Sequence, residues 1–332
     1  MKKYDVYGIG NALVDMEFQV EDSFLDINKV DKGLMTLVDE QRQNELMKVI
    51  NHEETKMKSG GSAANSMIAV SQFGGKSFYS CKVGDDSLGD FYLDDLKLAG
   101  VDCNLHNGYR SSGITGKCLV MITPDAERTM NTFLGITADI SPEELDEEAL
   151  KDSKYLYIEG YLVASESGFE AMLAAKNTAE QNGIKTSLTF SDPNMIQFFR
   201  ENMEAVIGSG IDLLFCNEEE AKTYTNKDNL LEAREELKKV AKTFAITLGK
   251  NGAVIFDGDT FIDIEPYDVK ALDTNGAGDM FAGAFLYGLT HGHSYAQSGK
   301  IASLAASRIV AQYGPRLEWH QAREILNHIF EN

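Results

Sequence analysis

Apolar residues along the chain gather into short, dense runs separated by longer mixed stretches. Residues 6–9, 155–158, 186–190, 213–216 and 244–247 are brief β-rich apolar runs, each followed by a helical stretch or a turn. Between the first two, 34–38 reads as a strand, 40–50 and 62–73 as helices, 77–83 as a strand, and 88–99 as a helix that ends at Gly100. This strand–helix alternation argues for an α/β protein with a mainly parallel sheet. Two regions break the rhythm. Residues 16–20 alternate, and 117–122 with 128–132 read as a hairpin. Such β-only insertions suit a small lid, at about 14–38 and 104–137, on a single domain spanning 1–332.

One acidic cluster stands out. Glu143, Glu144, Asp146, Glu147, Glu148 and Asp152 follow Ser141, a good N-cap, with Leu145 and Leu150 interspersed. The pattern predicts a short solvated helix over 142–152. Repeats, low-complexity tracts and Pro/Ser-rich linkers are absent.

Composition narrows the possible functions. The 332 residues carry a formal net charge of −21, which opposes binding to a nucleic-acid backbone. No apolar run approaches the roughly 18 residues of a membrane helix, and the start Met1-Lys2-Lys3-Tyr4-Asp5 does not read as a signal peptide. Cys81, Cys103, Cys118 and Cys216 form no CxxC pair, so they are expected to be buried reduced thiols of a cytoplasmic protein. His291 and His293 read as a solvated helix end rather than metal ligands. The charge also raises a question: how would so acidic a chain handle a small anion?

Two familiar nucleotide motifs fail. Gly8-Ile9-Gly10 follows the first strand, but Leu13 holds the place of the third glycine in a dinucleotide fingerprint. Gly75-Lys76-Ser77 would need a partner glycine where Val70 stands. The stronger signal is Asp273-Thr274-Asn275-Gly276-Ala277-Gly278-Asp279, directly before the helical run Met280-Phe281-Ala282-Gly283-Ala284-Phe285-Leu286. Glycines ahead of a helix let backbone N–H groups converge, and the helix N-terminus adds partial positive charge. This makes an anion cradle without basic side chains. A carboxylate there suffers like-charge repulsion unless it has a task, such as taking a proton from a hydroxyl that attacks a phosphoryl group. The alternative is a tight loop capped by Asp279. A second cluster, Ser59-Gly60-Gly61-Ser62-Ala63-Ala64-Asn65, also leads into a helix. It reads either as close backbone approach to a ligand with Asn65 bonding hydroxyls, or as a serine-capped helix start.

Together the two clusters resemble the paired signatures of the ribokinase-like (PfkB) carbohydrate kinase family, and the resemblance covers nearly the whole chain. The run Gly8-Ile9-Gly10-Asn11-Ala12-Leu13-Val14-Asp15 is similar to the family's adenosine-kinase branch. So are Arg128-Thr129-Met130-Asn131-Thr132 and Tyr157-Ile158-Glu159-Gly160-Tyr161-Leu162. The resemblance implies a three-layer α/β/α sandwich with a β lid. It implies ATP-dependent phosphorylation of a primary hydroxyl on a ribose-containing small molecule, foremost adenosine, giving AMP and ADP in purine salvage.

By the same resemblance Asp279 is the catalytic base, Gly276, Ala277 and Gly278 form the anion hole, and Arg128 reaches the transferred phosphate from the lid. Asn11, Asp15, Gly60, Gly61 and Asn65 would bind the acceptor. Asn217 and Glu220 would organise Mg²⁺ through water, with Asp192-Pro193-Asn194 nearby. Thr247, Gly249, Gly252, Asn275 and Ser303 would lie on the nucleotide side. A monovalent cation such as K⁺ accompanies some members, and the assembly would be a monomer or a homodimer. Rival readings are an acceptor such as ribose or fructose, a dinucleotide-dependent oxidoreductase, disfavoured by Leu13, and a non-catalytic ligand-binding protein, disfavoured by Asp279.

Overall fold

The computed structural model describes residues 2–50, 56–107, 110–125 and 127–330. Positions 108–109 and 126, inside the anticipated insertion, lie outside the described residues. The main sheet uses β1 (Tyr4–Ile9), β5 (Ser77–Ser80), β6 (Asp102–Cys103), β9 (Ser153–Glu159), β10 (Lys185–Thr189), β11 (Ile211–Asn217), β12 (Ala241–Thr247), β13 (Ala253–Phe256) and β14 (Phe261–Ile264), in the order β14-β13-β12-β11-β10-β9-β1-β5-β6. Pairing is parallel from β6 to β12 and antiparallel through β13 and β14.

The apolar runs lack alternation because both faces of this sheet are buried. Along β9, Tyr155 and Tyr157 point into one core and Leu156 and Ile158 into the other. The first core packs the sheet on helices Ser62–Gln72, Ala277–Thr290 and Tyr295–Val310; the second packs it on helices such as Glu166–Gln181 and Arg200–Ile207. The result is helix, sheet, helix.

A second sheet forms from β2 (Leu13–Gln19), β3 (Met35–Leu37), β4 (Lys56–Gly60), β7 (Gly116–Ile122) and β8 (Arg128–Phe133), ordered β3-β8-β7-β2-β4. The predicted hairpin is the antiparallel pair β7–β8. Strand β4 escaped the sequence pattern because Lys56-Met57-Lys58-Ser59-Gly60 is polar and short. It enters by pairing antiparallel with β2, Leu13 opposite Gly60. Strands β13 and β14, also unanticipated, close the far edge of the main sheet as a hairpin.

The acidic run differs from expectation. It splits into a 3₁₀ turn, Pro142–Glu144, and a separate helix, Glu147–Lys151. Ser141 and Glu144 close a reciprocal cap on the first, and Asp146 accepts from Ala149 N to start the second. Two caps five residues apart leave no room for one continuous helix. The strand expected over 77–83 ends at Ser80. All four cysteines are buried thiols outside any disulfide, His291 caps the C-terminus of helix Ala277–Thr290, and no described helix is long and apolar enough to cross a membrane.

Phe285, fully buried, meets Phe215 edge-on at 5.7 Å and stacks on Phe281 at 6.0 Å. It fixes the helix carrying Asp279 against β11. Phe285→Ala should lower unfolding free energy by about 3–5 kcal/mol, measured by urea denaturation.

Candidate active site

The strands of the main sheet end on one side, and the loops beyond their carboxyl ends surround a cavity of about 500 Å³. Open α/β sheets hold ligands at this location. Residues from the ends of β1 (Asn11), β9 (Glu159), β11 (Asn217) and β12 (Thr247) line it, and the second sheet covers it with Leu13, Asp15, Val120 and Met130.

Helix Ala277–Thr290 opens on Gly276, whose φ of 75° is a left-handed conformation that favours glycine. A Cβ there would sit 2.3 Å from Pro315 Cβ, so close packing also demands glycine. Ala277 N–H turns back to Thr274 O at 3.3 Å. The remaining N–H groups of the first turn have no acceptor within the helix, as at any helix start. Helix Ser62–Gln72 likewise opens on Gly61 at φ 102°, where a Cβ would lie 2.1 Å from Asn11 O.

The two helix starts meet at Asp279. Its Oδ1 accepts from Ser62 Oγ at 2.6 Å and its Oδ2 from Asn65 Nδ2 at 3.1 Å. Burial pushes its carboxyl up to about 6, and the Ser62 and Asn65 bonds pull the other way. Such a group is ionised at neutral pH yet basic enough to take a proton. The same helix start holds a second acid. Glu159 accepts from Ala63 N at 2.8 Å and from Asn11 Nδ2 at 3.0 Å, and burial raises it to about 7.

Of the expected residues, the cavity brings together Asn11, Asp15, Gly61, Asn65, Asn217, Glu220, Thr247, Asn275, Gly276, Gly278 and Asp279. Gly60, Ala277, Arg128, Gly249, Gly252 and Ser303 stand outside its lining. Gly249 and Gly252 shape the turn between β12 and β13. The Ser303 hydroxyl faces the Glu265 carbonyl at 3.5 Å.

Arg128 turns away from the cavity to the signature loop. It pairs with Asp273 Oδ2 at 2.7 Å and with Glu17 at 3.5 Å. Asp273 is buried and also accepts from Asn275 N at 3.0 Å and Gly314 N at 2.9 Å. Sequence reasoning missed this anchoring role of Asp273. It also gave no role to Glu159, although an acid ending an apolar strand was a usable signal.

Mg²⁺ takes oxygen ligands, keeps several waters and uses few carboxylates. Asn217, Glu220 and Asp192 offer only oxygen and amide groups to the cavity. Glu220 already accepts from Asn217 N at 2.9 Å and Asn217 Nδ2 at 2.8 Å. Burial, aided by Asp192 and Glu219, raises it to about 7. Among the described residues no three His, Cys, Asp or Glu side chains form a cage. The donor set therefore fits a metal contacted through water and held chiefly by phosphates.

Known proteins bear out the class. The profile of the pfkB family carbohydrate kinases matches residues 26–322. Adenosine kinase of Saccharomyces cerevisiae is 27% identical over 92% of this chain and 95% of its own. Adenosine kinase of Sinorhizobium meliloti is 33% identical with a TM-score of 0.88, covering 97% of this chain and 99% of that one. A probable sugar kinase from Rhizobium etli, also 33% identical, superposes with a TM-score of 0.90 over 99% and 100%. The chain belongs to the pfkB family of carbohydrate kinases, and its fold is ribokinase-like. It is a phosphotransferase of the carbohydrate and nucleoside kinase class, whose donor is ATP.

Removing Arg128 would leave the buried Asp273 charge with backbone donors alone. Arg128→Met should lower stability by about 3 kcal/mol, seen as a lower urea midpoint with unchanged slope.

Proposed function

We propose that the protein phosphorylates the primary hydroxyl of a ribose-containing small molecule, adenosine foremost. One observation carries the reading: Asp279, Ser62 and Asn65 give the cavity a polar floor, while Leu13, Met35, Leu37, Val120 and Met130 of the second sheet, with Leu134 just after it, give it an apolar wall. A nucleoside presents hydroxyls to such a floor and a flat base to such a wall. A free sugar leaves the wall uncovered. The similarity to two adenosine kinases supports the same choice.

Asp15, Asn11, Gly61 and Asn65 bind the ring hydroxyls, and Asp15 is suited to accept from two of them. The acceptor hydroxyl lies between Asp279 and the γ-phosphate. Asp279 takes its proton as the new O–P bond forms and the bond to the β-phosphate oxygen breaks, releasing ADP. N–H groups at Gly276 and Gly278 point at the oxygens where charge develops, with the helix dipole behind them. Mg²⁺ would supply charge neutralisation at the phosphates, and Asn217 and Glu220 would be the residues to hold it, through water. Arg128 adds positive potential from its seat on Asp273. Thr247 and Asn275 border the nucleotide side. The second sheet, acting as a lid, excludes water.

Asp279→Asn should lower kcat by at least about 10² with substrates still bound. The same change should stabilise the fold at pH 7. Asp279 holds its proton to about pH 6 when folded but not when unfolded, so stability falls as pH rises through that interval. Removing the ionisable group lifts this cost, about 3 kcal/mol for a rise of about two pKa units. In the wild type, kcat should fall as pH drops below about 6. Near-normal turnover by the variant would refute the assignment.

A coupled ADP-release assay should show adenosine turned over far faster than inosine, cytidine, ribose or fructose, and only with Mg²⁺ present. Faster turnover of a free sugar would overturn the acceptor choice. No turnover of any acceptor would point to a binding protein.

A further inference from the structure

The segment 314–317 links helices Tyr295–Val310 and Trp319–Phe330 and touches both halves of the site. Gly314 N donates to Asp273, and Pro315 packs on Gly276. The next residue reaches the other way. Arg316 Nη1 donates to Asp95 Oδ2 at 2.8 Å, and Nη2 donates to the Ser59 carbonyl and, at 2.7 Å, to Ser59 Oγ. Asp95 Oδ2 in turn accepts from Ser59 N at 2.8 Å and Ser59 Oγ at 2.6 Å. All the polar groups of Ser59, a fully buried residue, are thus held by this one ion pair.

Ser59 precedes Gly60, and Gly60 is the surface on which Asp15 rests. A Cβ on Gly60 would lie 2.4 Å from the Asp15 carboxyl atoms. Tyr92 holds the Gly60 carbonyl at 2.9 Å. The chain of contacts runs Arg316, Ser59, Gly60, Asp15. A planar fork suits this task because it grips a carboxylate and a backbone carbonyl together, which an ammonium cannot do in the same geometry.

We propose that Arg316 is a positioning residue for the acceptor: it fixes the Ser59–Gly60 backbone against which Asp15 rests. The proposal rests on reading Asp15 as the acceptor-binding carboxylate. Groups facing Asp15 come from every neighbouring element. Among the described residues, Glu17 lies on its own strand, Lys58 opposite on β4, Cys118 opposite on β7, Arg128 on β8 and Asp279 on its helix, and Tyr92 and Arg316 also act on it. Burial pushes the Asp15 carboxyl up to about 7, and Arg316 is the foremost group opposing that rise. Without Arg316, Asp15 would hold its proton at higher pH and lose acceptor strength for vicinal hydroxyls.

The test is steady-state kinetics with adenosine, or with the best acceptor of the panel above. Arg316→Met should raise the acceptor KM about ten- to a hundredfold, leave the ATP KM within about twofold, and move the acid limb of kcat/KM for the acceptor to higher pH. Arg316→Lys, which keeps charge but not the fork, should raise the acceptor KM less and leave that limb in place. It carries the test if the Met variant does not fold. A merely structural role would lower the melting temperature without moving the pH limb. Asp15→Asn separates the two ideas. If it leaves the acceptor KM unchanged, the reading of Asp15 fails and this proposal with it. If it raises that KM while folded Arg316 variants match the wild type, the Arg316 proposal fails alone.

Discussion

Two distant segments and its own loop converge on the carboxylate of Asp273. It accepts from Asn275 within its own loop and from Gly314 near the C-terminus, and it forms an ion pair with Arg128 on the second sheet. Two N–H donors and a guanidinium satisfy a charge that burial would otherwise make costly. The loop that follows is consequently set in place before any substrate arrives: Gly276 packs on Pro315, and the first turn of the next helix presents its N–H groups to the cavity. Preorganised donors cost no rearrangement when charge develops. The position of Asp279 at the cavity, three residues after Gly276, depends on this anchoring.

The cavity also concentrates acids. Asp15, Glu159, Glu220 and Asp279 all line it, and burial raises each of them to between about 6 and 7. Mutual repulsion contributes, as Asp279 acts on both Asp15 and Glu159. This helps to answer how a chain of net charge −21 handles a polyphosphate. Its positive potential is local, from helix starts and from Arg128 and Arg316, each paired with a buried or half-buried acid. Exposed acids such as Glu143, Glu147 and Glu148 add negative charge where solvent screens it.

Much of the fold was legible in the chain. Apolar runs without alternation marked the strands of the main sheet, because a sheet covered on both faces needs apolar residues at every position. The hairpin β7–β8 showed itself by composition. Strand β4 did not, since Lys56 and Lys58 belong to an exposed edge whose existence depends on pairing with β2. The acidic run at 142–152 misled because charge pattern alone does not reveal where Asp146 starts a second cap.

The sequence by itself determined the local chemistry: a glycine loop before an apolar helix, an aspartate at its end, and a second glycine pair before another helix. Those are properties of neighbours in the chain, set by backbone freedom and helix polarity. Only the tertiary structure decided which partners meet. It put Ser62 and Asn65 on Asp279 across more than two hundred residues, turned Arg128 onto Asp273, and brought Arg316 under Ser59. Burial and long-range pairing set the charge state of an acid, and both arise only when the sheet brings its strand ends together.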